Sequence, residues 1–274
     1  MKRLPIALQL YSIRGDMERD FEHTLEIVRY MGYEGVEFAG LFGREPASVR
    51  AICKTLGLNP ISSHVPINMF IENAEQTLLD CKALGCEFVV IPWLEREYLP
   101  GNRKYNELIT LIQSVGKRAR ELGMTLLYHN HDFDFKQLDG AYLLDIMYND
   151  IAQEYLETQI DACWVNVAGE NPAAYLRSYT GRAPVVHLKD YNGGKSDNMY
   201  ALIGIDEDNQ QTSSGSFEFR PLGKGVQDIR SLLSAASDCG AQWLVVEQDE
   251  PTAGISAIDC AKSSIEYLKS LYEQ

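Results

Sequence analysis

The chain has 274 residues, of which 45% are hydrophobic, 23% charged and 10% aromatic. That is ordinary globular composition and excludes a disordered, collagen-like or low-complexity protein. With 25 basic and 39 acidic residues the formal charge is −14, which repels polyphosphate backbones and argues against a nucleic-acid partner.

The N-terminus, MKRLPIALQLYSIRGD, joins two basic residues to a short apolar stretch but offers no small-residue cleavage site. Residues 4–10 therefore read as a first strand, not a signal peptide, and a cytoplasmic location is expected. No apolar run reaches the roughly 18–20 residues that span a bilayer, so no membrane association is expected. Short apolar runs recur at 6–10, 35–38, 60–64, 88–92, 126–129, 159–162, 185–188 and 244–247. Between them, apolar residues fall at i, i+3, i+4 spacing, as in Phe21, Leu25, Val28 and Met31, which predicts amphipathic helices. Gly32, Gly57, Gly85, Gly123 and Gly240 sit where left-handed helix termination needs them. Asp20, Asn73 and the pair Asn171-Pro172 are expected helix starts.

Strands separated by helices imply βαβ units and a parallel sheet, because parallel strands need a crossover. Eight units of about 34 residues each are the arithmetic of a closed (β/α)8 TIM barrel. No linker divides the chain, so residues 1–274 are expected to form one α/β domain. The irregular stretch is residues 191–223, rich in Gly, Ser, Asn and Asp. It reads as a long loop insertion at the end of the seventh strand, on the face where barrels carry their sites, ahead of a helix at 227–239. Six scattered cysteines without a C-x-x-C pair read as free, buried thiols.

Polar residues close the last four strands. The fifth runs into Tyr128-His129-Asn130-His131, and alternation points His129 and His131 the same way. The sixth ends at Asp161, the seventh passes through His187 to Lys189, and the eighth ends at Glu247. Buried ionisable groups are costly unless paired or metal-bound. A convergent set of imidazoles and carboxylates suits Mn2+, Co2+, Zn2+, Fe2+ or Mg2+ better than Ca2+. One divalent ion is therefore the expected cofactor. No phosphate-binding or dinucleotide-binding glycine motif occurs, so no nucleotide cofactor is expected.

The runs YHNHDFDF, QIDACWV, VVHLKD, LGKG before VQD, and VVEQD, with the opening LQLYSIR, resemble the xylose-isomerase-like barrels. Within them the chain is most similar to the sugar phosphate isomerase/epimerase branch, with its inosose dehydratases, ketose 3-epimerases and 3-keto-sugar lyases. The resemblance spans essentially the whole chain. It implies that Asp161, His187 and Glu247 are metal ligands. The branch's epimerases carry a glutamate in the fifth strand where this chain has His129, so the fourth ligand is either His129, which a strand holds more rigidly, or Asp134 folding back from the loop. The position within LGKG that is often acidic in relatives is Lys224 here.

The resemblance implies proton abstraction beside a carbonyl of a sugar, cyclitol or keto-sugar, giving isomerisation or elimination. With a symmetric glutamate pair lost, Glu247 is the expected base, His131 and His129 are acid/base candidates, and Lys189 is expected to neutralise charge on a substrate oxygen. Gln9, Tyr11, Glu37, His64, Trp93, Asp134 and Trp164 stand at strand ends as substrate contacts, with Glu37 and His64 alternatively supporting a metal-bound imidazole and the tryptophans offering sugar-stacking faces. Competing readings are a non-catalytic metal-dependent sugar-binding barrel and a DNA-repair endonuclease of the same superfamily, the latter opposed by five histidines and the charge of −14. A homodimer is the default assembly.

Overall fold

A computed structural model describes residues 2–195 and 216–273 of the chain. Eight parallel strands form a closed barrel: β1 (Ile6–Gln9), β2 (Gly35–Phe38), β3 (Asn59–His64), β4 (Phe88–Ile91), β5 (Thr125–His129), β6 (Glu157–Asp161), β7 (Val185–Leu188) and β8 (Trp243–Val246). Each strand pairs with the next in sequence, and β8 closes on β1 through Ile6 opposite Leu244. The eight expected strands are all present, displaced by a residue or two at their ends.

Period-two alternation assigns every strand residue to one of two environments. Leu8, Val36, Val89, Leu126, Ile160, Val186 and Leu244 face outward into the layer shared with the helices, whereas Ala7, Ile61, Phe88, Val90, Leu127, Val185 and Val245 fill the barrel interior as a separate cluster. That interior plug forms the floor of the site, because the inward residues two positions further along are polar. Val185 is followed by His187 and Lys189, Val245 by Glu247 and Asp249, and Leu127 by His129 and His131.

The helices are α1 (Arg14–Arg19), α2 (Phe21–Met31), α3 (Pro46–Leu56), α4 (Ile67–Leu84), α5 (Tyr105–Glu121), α6 (Leu143–Asp150), α7 (Ala162–Val167), α8 (Pro172–Ser178), α9 (Ile229–Cys239) and α10 (Ala257–Tyr272). Asp20 caps α2 and Asn171 caps α8, the latter with Pro172 in the first turn. Asn73 differs from expectation. Its backbone (φ −158°, ψ 78°) kinks α4 internally, and its side chain accepts from Gln76 N–H at 3.1 Å. It therefore caps only the second half of a bent helix.

The expected loop 191–223 is partly ordered structure. Residues Asp190–Asn192 pair antiparallel with Glu218–Arg220, while 196–215 lie outside the described residues. The following helix starts at Ile229 rather than 227, where Asp228 accepts from Ser231 N–H. All six cysteines are free and buried. No helix among the described residues is long and apolar enough to cross a membrane.

Candidate metal centre

The inward polar residues of β5 to β8 converge at the C-terminal mouth of the barrel. One donor atom each from His129, Asp161, His187 and Glu247 lies within 4.8 Å of the others, and all four residues are buried. Asp161 shows how the local fold aims a ligand. It is the last residue of β6 and the N-cap of α7, and its Oδ1 accepts from the N–H groups of Cys163 (2.8 Å) and Trp164 (3.1 Å), satisfying helix donors that lack partners. Its Oδ2 takes no hydrogen bond among the described residues. It faces Lys189 Nζ at 3.3 Å and His129 Nε2 at 3.7 Å.

His129 is oriented by Gln159, whose Oε1 lies 3.0 Å from Nδ1. An acceptor at Nδ1 assigns the proton to that nitrogen and leaves the Nε2 lone pair toward Asp161. Burial and the nearby His187, His64, His131 and Lys189 push the His129 pKa well down, so the ring is neutral. Asp134 is turned elsewhere. Its Oδ1 accepts from Tyr128 O–H at 3.0 Å and its Oδ2 from His131 N–H at 2.8 Å, and burial pushes its carboxyl up to about 7. Of the two expected fourth donors, His129 joins the cluster.

Beneath the cluster a single buried anion organises the floor. Glu37 Oε1 accepts from Gln9 at 2.7 Å and meets His64 Nε2 at 3.0 Å and His187 Nε2 at 2.7 Å, while Oε2 accepts from Ser62 O–H and Gln159 N–H, each at 2.6 Å. Burial opposes ionisation, yet the His64 and His187 rings outweigh it and hold the carboxyl well below its usual range. Gln9 is expected at the substrate and Glu37 either there or behind a metal-bound imidazole; both are fully buried and saturated by protein partners, Gln9 Oε1 by Tyr11 N–H and Glu37 against the His187 ring.

His187 spans two carboxylates, with Nδ1 2.8 Å from Glu247 Oε2 as well as Nε2 against Glu37. Burial works against its charge, but Glu37 and Glu247 raise its pKa to about 10. Lys189 is buried at 1% exposure, its Nζ 2.9 Å from Glu247 Oε2 and 3.0 Å from Asp249 Oδ1 besides its contact with Asp161. Burial opposes its charge too, and Asp249, Glu247 and Asp161 together hold its pKa well up. Glu247 is correspondingly lowered against its own burial by Lys189 and His187. Asp249 is raised by burial to about 6, with Lys189 opposing and Glu247 adding to the rise.

A cavity of about 840 Å3 opens above these groups, lined by Tyr11, His64, Trp93, His129, His131, Lys189, Glu247 and Asp249 among others. Trp164 stands at the side, 5.3 Å from both the His131 ring and Lys189 Nζ, and stacks with Phe217. Burial first, then Lys189, push the His131 pKa well down. At neutral pH this ring is therefore uncharged.

Sequence reasoning did not single out Gln159, Asp249, Ser62 or Asp190 as site residues. Gln159 lies two residues before Asp161 and Asp249 two after Glu247, so strand alternation carried the signal for both. Asp190 closes the loop onto the barrel. Its Oδ1 accepts from Tyr191 and Gln227 N–H, and its Oδ2 from Gly223 and Gly225 N–H, all at 2.9–3.0 Å. The LGKG run is thus a cradle for a carboxylate of the chain itself. A Cβ at Gly225 would meet Asp190 Oδ1 at 2.2 Å, so only glycine fits there. The Lys224 side chain is exposed.

The chain is 22% identical over 281 residues to an inosose dehydratase of Clostridium beijerinckii, covering 92% of this chain and 90% of that protein. A sugar phosphate isomerase/epimerase from Parabacteroides distasonis superposes with a TM-score of 0.79 at 17% identity, over 98% of this chain and 95% of that one. The IOLI protein, whose crystal structure holds a bound zinc atom, superposes at 0.70 with 15% identity over 98% of both chains. Residues 25–271 match the family described as the xylose isomerase-like TIM barrel, and the chain belongs to that family.

Proposed function

We propose that this protein is a divalent-metal-dependent isomerase or lyase that abstracts a proton beside a carbonyl of a sugar, cyclitol or keto-sugar. The observation that carries the reading is the buried quartet of His129, Asp161, His187 and Glu247, with donor atoms within 4.8 Å. The donor set fits a divalent ion in kind, being two imidazoles and two carboxylates. It fits in charge as well. The carboxylates of Glu37, Asp161, Glu247 and Asp249 outnumber the cations Lys189 and His187 by two, and Asp161 Oδ2 is buried without a hydrogen bond. A bound ion would polarise a substrate carbonyl and its neighbouring hydroxyl. The names of the compared proteins support the substrate class, and the zinc in one of them supports the metal.

In this reading Glu247, held ionised by Lys189 and His187, takes the substrate proton, and neutral His131 is a second acceptor across the cavity. Lys189 opposes negative charge developing on a substrate oxygen. Tyr11, His64 and Trp93 touch the substrate from the cavity wall, whereas Trp164, expected at the substrate, is 1% exposed and packs behind His131 against Phe217 instead of lining the cavity. Gln9 and Glu37 act through His64 and His187, and Asp134 through His131. The test is metal content joined to turnover. Protein refilled with Mn2+ or Co2+ is expected to hold close to one ion per chain and to convert a member of a panel of keto-sugars and cyclitols. A metal content near zero, or turnover indifferent to chelation, ends the proposal.

A further inference from the structure

The cavity is too large for one sugar ring. Its volume is about 840 Å3, whereas a pyranose takes the room of about six waters, roughly 180 Å3 at ~30 Å3 each. The surplus has a distinct chemistry. From the imidazoles and carboxylates at the barrel axis the cavity runs sideways past the ends of β2, β3 and β4, between walls of Leu41, Pro46, Val65, Met69, Pro92 and Trp93. Arg44, Glu45 and Asp80, all exposed, are also among its lining residues. The loop between β2 and α3 supplies Leu41 and Arg44 to the lining. Phe42 adopts a left-handed backbone (φ 53°) between Gly40 (φ 91°) and Gly43 (φ 74°), and its ring turns from the cavity to meet Phe21 edge-on at 6.1 Å. A bulky side chain in that conformation costs free energy that the surroundings must offset. Met69, in the first turn of α4, is 45% exposed.

We propose that this side chamber is a second subsite and that the substrate is a sugar or cyclitol bearing an apolar, ring-sized substituent, of the aryl glycoside class. The proposal rests on the reading that a sugar-like ring sits over the His129, Asp161, His187 and Glu247 quartet. The chamber opens directly onto those groups, so one ligand spans both parts. Its polyhydroxylated ring meets the ionisable residues, and its apolar ring displaces water from the Leu41, Val65 and Met69 wall. Trp93 stands at the junction, where an aromatic face serves a sugar and an aryl ring alike.

The test uses the full chain loaded with Mn2+ and compares phenyl and methyl β-glucosides by calorimetric titration, since the pair shares a sugar and differs in the substituent. The phenyl glucoside is expected to bind at least about ten-fold tighter, as burial of an aromatic ring warrants. That ratio is expected to collapse toward one in Leu41→Glu and in Met69→Glu, substitutions at partly exposed positions in the β2–α3 loop and in the first turn of α4. A ratio near one in the unaltered chain, or a ratio that survives both substitutions, overturns the chamber. Methyl glucoside binding without an aromatic gain removes the chamber and leaves the sugar reading standing. An aromatic gain in a chain that takes up no metal supports the chamber and removes the metal-dependent reading. Binding of neither glucoside overturns the chamber.

Discussion

His187 and Glu37 form an ion pair sealed from water at the floor of the site, Nε2 to Oε1 at 2.7 Å, with both side chains fully buried. Removing one charge of a buried pair leaves the other uncompensated, and that is the costly event. Glu37→Gln keeps the shape and leaves Gln9 and Ser62 bonded, but it removes the charge and turns an NH2 group toward the Gln159 amide donor. We expect the metal-free variant to lose about 3 kcal/mol, read as a lower urea midpoint at unchanged slope. Ser62→Ala deletes one neutral donor to the same carboxylate and is expected to cost about 1 kcal/mol. Equal midpoints for both variants would show that the charge of Glu37 holds nothing in place.

The same ring sets a pH dependence whose sign follows from its raised pKa. An unfolded imidazole titrates near ~6.5, while His187 in the fold titrates at about 10. Its stabilising contribution is complete below the unfolded value and is lost as pH rises through the folded one. Metal-free protein should therefore lose thermal stability from about pH 7 toward 10. A metal ion binding His187 must displace a proton, so ion binding should strengthen with pH over that window and release about one proton per ion. Calorimetric titration with Mn2+ at pH 7.5, in two buffers of different ionisation enthalpy, measures that proton. A heat independent of buffer would exclude His187 as a protonated ligand.

How much of this centre is legible before folding depends on the range of each interaction. The columns Val185-His187-Lys189 and Val245-Glu247-Asp249 are written in period-two alternation, so the barrel and three of the four cluster residues can be read from strand ends. The choice between His129 and Asp134 cannot, because after His131 the chain enters a short 3-10 turn whose direction no periodicity encodes. There Tyr128 and the His131 N–H draw Asp134 away. Nor can the floor be read. Gln159 reaches Glu37 across 122 positions, and the Asp190 cradle closes over 35, pairings that exist only once the barrel has closed.

Lys189 competes with any cation for the same oxygens, since Asp161 Oδ2 and Glu247 Oε2 both face its ammonium group. Lys189→Met keeps the buried stem and deletes the charge. The three carboxylates then repel one another with only His187, beside Glu247, to offset them, so we expect a metal-free melting temperature several degrees lower that Mn2+ restores more fully than in the unaltered chain. Ion affinity is expected to be equal or tighter. Turnover is expected to fall about 10²-fold, the scale of losing one charge-stabilising group. Weaker ion binding by the variant would mean that Lys189 helps build the ion site instead of competing for it.

Asp190 fastens the return of the loop after β7 to the barrel through four backbone N–H groups. An amide in its place offers one acceptor oxygen and turns an NH2 group toward two of those donors, so a pair of buried donors loses its partner. We expect Asp190→Asn to cost about 2–3 kcal/mol, with faster hydrogen exchange at Gly223, Gly225 and Gln227 and little change elsewhere. Lys224→Ala, in the same run but exposed, is expected within about 0.5 kcal/mol of the parent. The two variants separate a structural cradle from an anion site open to ligands. If the run bound an external anion through Lys224, sulfate would stabilise the parent and not Lys224→Ala. The geometry predicts no such difference, because the four donors are already spent on Asp190.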